Sequence, residues 1–335
     1  MTSRLARCLV FSASWWVGSA CCLRAAADGP RPHVVIVANN SGAETTDLLT
    51  PYAILKDAGV ADVEIVASEP GPVRLMPGLV VEPDATLADV ATTPDVVIVP
   101  AMHDPSEPTL LAALRRWSAA GAMTVSICDG AWVLADAGLL DGRRATSHWY
   151  SLPTLRERFP RTRWRQDVRW VRDGPVLTSA GVSASEPVSR YLATLLRNDR
   201  TLAGAGDGPP HDGAAFRIGV TDVTAGAMNY ALPWRWDVVT FDLPEGFDEL
   251  ALAFNVDLLQ RTYAVRTATA GVTSPLRGRR GLRVIPDVIG GAGGADHRTL
   301  RAPATFDALL SEIEQRYGRD TRSLVALQIE YAPAR

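Results

Sequence analysis

The 335-residue chain has few cysteines, little net charge and no apolar stretch as long as a typical membrane span. Its cysteines are Cys8, Cys21, Cys22 and Cys128, too few for a disulfide-rich scaffold. The formal net charge of −3 argues against nucleic acid as a partner, because contacts to phosphates need a basic surface. No helix-turn-helix, zinc-knuckle or RNA-binding motif is recognised, and the five histidines show no metal-ligand spacing. We therefore expect neither a nucleic-acid partner nor a metal, and we expect no cofactor.

The longest mostly apolar stretch, 8–23, lies near the N-terminus. Two arginines precede it and three alanines follow it, which is typical of a secretory signal peptide. Its length of about 16 residues falls short of the ~20 that a membrane span needs. We predict a signal peptide at 1–27 and an exported protein, periplasmic or extracellular, with an uncleaved membrane anchor as the alternative. Cleavage after Ala27 would leave Cys128 without a disulfide partner.

Short apolar strands alternate with amphipathic helices through the next part of the chain. Strands are predicted at 32–37, 63–67, 96–99, 123–127, 168–171 and 176–178, and helices at 46–58, 109–120, 130–137, 152–159 and 186–196. This alternation predicts an α/β fold with a parallel sheet covered on both faces. Functional residues of such sheets lie at the carboxyl ends of the strands, and Cys128 directly follows the fourth strand.

The remaining sequence contains a partial copy of the beginning. Residues 78–84 match residues 281–287 at Gly, Leu, Val, Pro and Asp with the same spacing. At nearly the same offset along the chain, Val34-Val35 aligns with Val238-Val239. The segment 198–213, rich in Gly, Pro and Asp, is predicted to be a linker between a domain at 31–197 and a degenerate half-repeat at 214–335. No second strand–Cys–helix turn occurs there, so we expect the copy to pack on the first domain or to close its crevice.

Cys128 is the residue most able to carry chemistry. Between a strand and a helix it would lie at the helix N-terminus, where unpaired N–H groups favour a thiolate. Such a turn resembles a nucleophile elbow, which holds its side chain exposed, and Gly130 permits the close backbone approach that the turn needs. The alternative is a small buried hydrophobic residue.

The run from Cys128 to Trp149 reads C-x-G, then L-A, then A-G-L-L-x-G-R-x-x-T-x-H-W. This pattern resembles the ThiJ/PfpI family of the class I glutamine amidotransferase-like superfamily, near the branch of isocyanide hydratases and ligand domains of AraC-type regulators. The resemblance covers about 33–197, with the partial copy at 236–335. It implies a flavodoxin-like sandwich that is commonly a homodimer, with a reactive cysteine.

The resemblance also implies partners for the cysteine. The family pairs its cysteine with an acid from the turn after the first strand, and Asp47 is the aligned acid, with Glu44 as the competing candidate. Its role would be to hydrogen-bond the sulfur. His148 lies where several members have a catalytic histidine, so it is either a general acid or base or a structural residue beside Trp149.

Two departures from the family pattern bear on the chemistry. Where members often have Gly-Gly, this chain has Ala101, whose N–H would form an oxyanion hole with that of Asp129, although His103 and Asp104 crowd the position. Asp129 itself replaces the His of peptidase-like members and the Thr of hydratase-like members, so peptidase activity is disfavoured. Asp129 is expected to raise the thiol pKa, and it either binds a cationic or hydrogen-bond-donating ligand or caps the helix.

Two functions remain open from the sequence. The first is an enzyme, a hydrolase, hydratase or lyase, in which Cys128 attacks a small electrophilic molecule with help from Asp47 and His148. The second is a ligand-binding or redox-sensing domain, including a regulatory one, that has kept the fold without turnover. Both require a small-molecule ligand.

Overall fold

The computed structural model describes residues 30–198, 202, 204–290, 296–300 and 304–332. The predicted signal peptide at 1–27 lies outside the described residues, as do its three cysteines. From Arg31 onward the chain forms one compact unit. Within the described part of the chain, no helix combines the length and the apolar character that crossing a membrane requires.

Residues 31–213, called here the first half, alternate strands and helices as the sequence predicts. In chain order its elements are β1 (His33–Ala38), β2 (Ala43–Glu44), α1 (Thr45–Ala58), β3 (Asp62–Ala67), β4 (Val73–Met76), β5 (Leu79–Glu82), β6 (Ala85–Thr86), β7 (Val96–Val99), α2 (Pro108–Ala119), β8 (Met123–Ser126), α3 (Gly130–Asp136), β9 (Arg144–Ala145), α4 (Leu152–Arg158), β10 (Arg163–Trp164), β11 (Trp170–Asp173), β12 (Val176–Ser179), α5 (Ser185–Asn198) and β13 (Ala205–Asp207).

The main sheet has eight strands in the order β13-β11-β12-β8-β7-β1-β3-β6. The strands from β12 to β6 run parallel, and β11 and β13 add an antiparallel edge. The central strand β1 is buried from Val34 to Ala38, because helices cover both faces of a parallel sheet. The predicted α/β parallel-sheet fold is confirmed. The carboxyl ends of β1, β7, β8 and β12 meet at one edge of the sheet.

Residues 214–332, called here the second half, begin with α6 and continue with a smaller sheet. In chain order the elements are α6 (Val220–Ala231), β14 (Asp237–Asp242), α7 (Glu249–Gln260), β15 (Val265–Gly271), β16 (Leu276–Arg277), β17 (Arg283–Val284), β18 (Val288–Ile289), β19 (His297–Thr299), α8 (Phe306–Tyr317) and α9 (Arg319–Gln328). Four of these strands form a parallel sheet in the order β18-β15-β14-β19.

The two halves share a sheet and a hydrophobic core. Strand β17 pairs antiparallel with β5, so that Val284 faces Val81, and helix α7 packs against α1. Buried residues of both helices, such as Leu48 and Phe254, belong to the same core cluster. The second half is therefore fixed against the first and positions its own side chains near the carboxyl edge of the main sheet.

The structure differs from the sequence prediction at the expected linker, 198–213. Ala205–Asp207 is a strand, and it extends the main sheet by pairing with β11. The N–H groups of His211 and Gly213 donate to backbone oxygens of Asp167 and Gln166. Gly and Pro in this segment thus mark turns of a packed connection, since its backbone groups find partners on the first half.

Candidate functional site

Cys128 lies on a strained turn between β8 and α3. Its φ of 54° is in the left-handed region, which costs a non-glycine residue about 1–3 kcal/mol. The turn is held tightly, because the N–H of Ile127 donates to Val99 O, and a Cβ on Gly130 would come within 2.0 Å of the same oxygen. Gly130 is therefore required by close backbone contact in a tight strand-to-helix turn that places a positive φ at the cysteine.

The thiol of Cys128 is buried and protonated, which differs from the expected exposed thiolate. The residue is 5% exposed and belongs to the core cluster. Burial raises its pKa well above the usual value, and the negative charges of Asp47, Asp129 and Glu44 raise it further. A hydrogen bond from the Asp129 N–H lowers it, but α3 has seven residues and its terminus does not offset the burial. The expected hydrogen bond between Asp47 and the sulfur is absent from the described contacts.

Asp47 is fully buried beside this turn. Its Oδ1 accepts from Ser185 Oγ at 3.1 Å and its Oδ2 accepts from the Ala101 N–H at 3.3 Å. Burial raises the pKa of Asp47 to about 7 against the opposing effect of these two hydrogen bonds. The carboxyl group can therefore take up or release a proton near neutral pH. The N–H of Ala101 is engaged by this contact and is not free to form the expected oxyanion hole.

Glu44, the competing acid, precedes α1 and caps it. Its Oε2 accepts from the Asp47 N–H at 2.5 Å, and its Oε1 accepts from Arg261 Nη2 at 2.6 Å. Burial raises the pKa of Glu44 well above the usual value, with further upward shifts from Asp257 and Asp47. Glu44 is thus a helix cap joined to the second half, and Asp47 is the acid that remains next to the turn.

Asp129 is the N-cap residue of α3 by position, but its side chain does not cap the helix. Its Oδ1 accepts from Ser147 Oγ at 3.0 Å and its Oδ2 from Ser151 Oγ at 2.8 Å. Burial raises its pKa, while His148 and the two serine hydrogen bonds lower it. The capping interpretation of Asp129 is thereby corrected, because the serines hold its carboxylate towards the His148 turn.

His148 is held by hydrogen bonds at both ring nitrogens. Nε2 lies 3.0 Å from the carbonyl oxygen of Gln328, and Nδ1 lies 3.3 Å from the N–H of Tyr150. A carbonyl requires a donor and an N–H requires an acceptor, so Nε2 donates to Gln328 and Nδ1 accepts from Tyr150. This arrangement fits the structural alternative for His148, since neither nitrogen is free to exchange a proton with a ligand.

The end of the second half crosses the His148 turn, which sequence reasoning did not foresee. The carboxylate of Glu330 is buried and accepts from the N–H groups of Gly181 and Trp149 and from His211 Nε2, at 2.6, 3.3 and 2.7 Å. Glu330 itself has a φ of 56°. No local sequence signal marks this role, because the residues it joins are far apart in the chain.

A cleft of about 430 Å³ opens between the two halves at this edge of the sheet. The first half contributes a carboxylate, an imidazole and two aromatic rings, and the second half contributes mostly apolar side chains and one guanidinium. The lining residues are Asp129, His148, Trp149, Tyr150, Ile218, Asp222, Val223, Gly226, Arg261, Tyr263, Leu324, Leu327 and Gln328. Such a mixture, with few polar groups in an apolar wall, is typical of small-molecule sites.

Comparison with known proteins gives a family match within the first half. The DJ-1/PfpI family matches residues 33–194. A protein encoded in the cpoL 5′ region of Streptomyces lividans is 35% identical over 136 residues, which are 38% of this chain and 96% of that protein. Isonitrile hydratase from Pseudomonas putida is 35% identical over 160 residues, 45% of this chain and 66% of the hydratase.

Regulators and solved structures also match. The HTH-type transcriptional regulator CdhR of Pseudomonas aeruginosa is 36% identical over 124 residues, and the match covers 36% of each protein. Drosophila melanogaster DJ-1β is 23% identical with a TM-score of 0.46, covering 51% of this chain and 94% of the other. A ThiJ/PfpI family protein from Pseudomonas syringae is 29% identical with a TM-score of 0.45, covering 50% and 69%.

Proposed function

The chain belongs to the DJ-1/PfpI family, and from this premise we propose that Cys128 reacts with an electrophilic carbon of a small molecule bound in the cleft. The observation that carries the proposal is a strained elbow cysteine within electrostatic reach of a buried carboxyl group, Asp47, whose pKa is about 7. Backbone strain persists where the surrounding structure holds it in place, and it concentrates at functional sites.

The raised pKa of the thiol determines how Cys128 would react. Complete transfer of its proton to Asp47 is uphill, because the thiol pKa lies well above 9.0 and that of Asp47 is about 7. Proton transfer must therefore accompany formation of the sulfur–carbon bond, with Asp47 as the general base. Asp47 then passes this proton to the substrate, to the nitrogen of an isonitrile or nitrile or to the oxygen of an ester's departing alcohol. Water attacks the same carbon and gives a proton to Asp47, and Asp47 returns it to the sulfur as the carbon–sulfur bond breaks. These steps describe a hydrolase or hydratase.

The experiment is a turnover screen of the full chain with small isonitriles, nitriles, aldehydes and esters, followed by mass spectrometry of the products. Cys128→Ala should abolish turnover, and Asp47→Asn should reduce it by about 100-fold, the usual contribution of a positioned general base. Asp104→Asn, an exposed residue of the neighbouring loop, is the matched control and should leave the rate unchanged. Equal turnover by wild type and Cys128→Ala would refute the proposal.

The second candidate is a ligand-binding protein without turnover. It is favoured by the shielding of the thiol, by the engagement of the Ala101 N–H with Asp47, and by the two hydrogen bonds of His148. Relatives named as HTH-type regulators are consistent with ligand binding in this family. Under this alternative, a molecule that raises the melting temperature of the protein would do so equally in wild type and Cys128→Ala, and no product would form.

A further inference from the structure

Arg261 brings a guanidinium from the second half into the region of the site. It ends α7, and its side chain is 17% exposed. Nε donates to Asp257 Oδ1 at 2.6 Å and Nη2 donates to Glu44 Oε1 at 2.6 Å. These two contacts fix the plane of the guanidinium, because its donors form a rigid fork.

The remaining nitrogen of Arg261 is open to the cleft. Within the described part of the chain, Nη1 has no hydrogen-bond partner, and it is not sealed from solvent. Arg261 lines the cleft together with Asp129 and His148. An arginine with two nitrogens anchored and the third facing a cavity is pre-organised to donate to a ligand.

Arg261 also lies within electrostatic reach of Cys128. Burial lowers the pKa of its guanidinium, but the negative charges of Asp257, Glu44 and an ionised Cys128 raise it by more. Among the described residues that line the cleft, Arg261 is the one whose positive charge does not depend on pH in the ordinary range. The other ionisable lining groups include the acids Asp129 and Asp222.

We propose that Arg261 selects the ligand by donating from Nη1 to a carboxylate on a small electrophile bound in the cleft beside the Cys128 turn, where Asp129 forms part of the wall. The acidic lining groups repel a carboxylate elsewhere in the cleft, so the guanidinium is the place where it can dock. Apolar side chains from the second half, such as Val223 and Leu327, fit a short hydrocarbon body. The inference rests on the proposed function and narrows its substrate class to small carboxylic acids.

The test compares an anionic and a neutral alkylating reagent on the full chain, iodoacetate and iodoacetamide, with Cys128 followed by peptide mass mapping. Each reagent converts the thiol to a thioether and releases iodide and a proton. Arg261→Gln should lower the ratio of the iodoacetate rate to the iodoacetamide rate by about tenfold, equivalent to about 1.4 kcal/mol. Arg261→Lys keeps the charge and should retain most of the ratio. Arg279→Gln, a half-exposed arginine of the same half, is the matched control.

A second measurement uses the wild-type protein and does not depend on the folding of a variant. Butyrate should protect Cys128 from iodoacetamide, and butyramide, its neutral counterpart of similar shape, should not. Equal protection by the two, or an unchanged ratio in a folded Arg261→Gln protein, would overturn the role of Arg261 while leaving the reactivity of Cys128 intact. Failure of both reagents to modify Cys128 in the folded protein would instead refute the proposed function, and with it the access of a cleft-bound ligand to the thiol.

Discussion

At the scale of single residues, burial of the carboxyl groups determines which groups of the site hold a proton. Glu44, Asp47 and Asp129 all have raised pKa values, and burial is the largest cause in each case. Their negative charges in turn hold the proton on Cys128. The cysteine therefore acts as a thiol whose reaction requires a base, rather than as a standing thiolate.

The raised pKa of Asp47 predicts that its contribution to the free energy of unfolding falls as pH rises. The pKa of Asp47 is about 7 in the folded state, against an ordinary value of 3.8. The folded state binds the extra proton in that interval, so the contribution to stability is full below the ordinary pKa and is lost as pH rises through 7. Below the ordinary pKa, this protonation contributes about 4 kcal/mol to the free energy of unfolding.

Urea unfolding at several pH values between about 5 and about 8 measures this effect. Asp47→Asn should flatten the decline, although Glu44 and Asp129 contribute a residual slope of the same sign. Asp104→Asn, which alters an exposed residue, should keep the wild-type slope. Identical slopes in wild type and Asp47→Asn would show that the Asp47 carboxyl is not shifted.

The sequence predicts the main residues of this cluster but not how deeply they are buried or how burial shifts their pKa values. Cys128, Asp47 and Gly130 follow from the strand–turn–helix pattern and from the family resemblance, because a local motif fixes the turn. The burial of the thiol does not follow, since it depends on what packs over the turn. Arg261 was missed because its spacing from Asp257 reads as an ordinary helical ion pair.

At the scale of elements, the segment 324–330, the end of α9 and the two residues after it, closes one side of the cleft with Leu324, Leu327 and Gln328. Leu327 O accepts from Trp149 Nε1, and Ile329 O accepts from the Ser183 N–H. Glu330 completes the contact with its buried carboxylate. The position of this segment therefore depends on hydrogen bonds that reach back to the first half.

Glu330→Ala should destabilise the protein by about 2–4 kcal/mol, because the N–H groups of Gly181 and Trp149 would lose their buried acceptor. Amide hydrogen exchange should speed up most at these two residues and in α9. Glu314→Ala is the matched control, since Glu314 makes surface ion pairs with Arg319 and Arg322 and should contribute less than about 1 kcal/mol. Equal effects of the two substitutions would contradict the role of Glu330.

In the first half, the main strands and helices could be predicted from local pattern, and the shortest strands could not. Helix α2 is displaced by one residue from its predicted range, and α1 begins one residue before its predicted start. Strands β13 and β19 were not predicted, because they are three residues long and form only where a distant strand edge is available. The periodicity of a short segment carries no information about a strand edge that lies far away in the sequence.

At the scale of the whole molecule, the halves are joined by buried charges as well as by apolar packing. Arg280, which is 5% exposed, reaches Asp57 of the first half and also pairs with Glu249, which is fully buried. Arg279, its neighbour, is 49% exposed and contacts Asp57 and Asp248 at the surface. The two arginines thus form the same kind of ion pair, but Arg280 is buried and Arg279 is half-exposed.

Arg280→Ala should cost about 3–5 kcal/mol, because it leaves Glu249 buried without its cation. Arg279→Ala should cost less than about 1 kcal/mol. Urea unfolding should show one transition in each case, since the halves share a core. Two separate transitions in the wild type, or equal costs for the two arginines, would contradict this description of the interface.

The most direct test of the central claim, that Asp47 takes the proton of Cys128, is the pH dependence of Cys128 alkylation by iodoacetamide in the folded protein. In wild type the rate should level off above about pH 7, once Asp47 is ionised. In Asp47→Asn it should instead rise about tenfold per pH unit with the thiolate fraction. Superimposable profiles that both rise with the thiolate fraction would contradict the account.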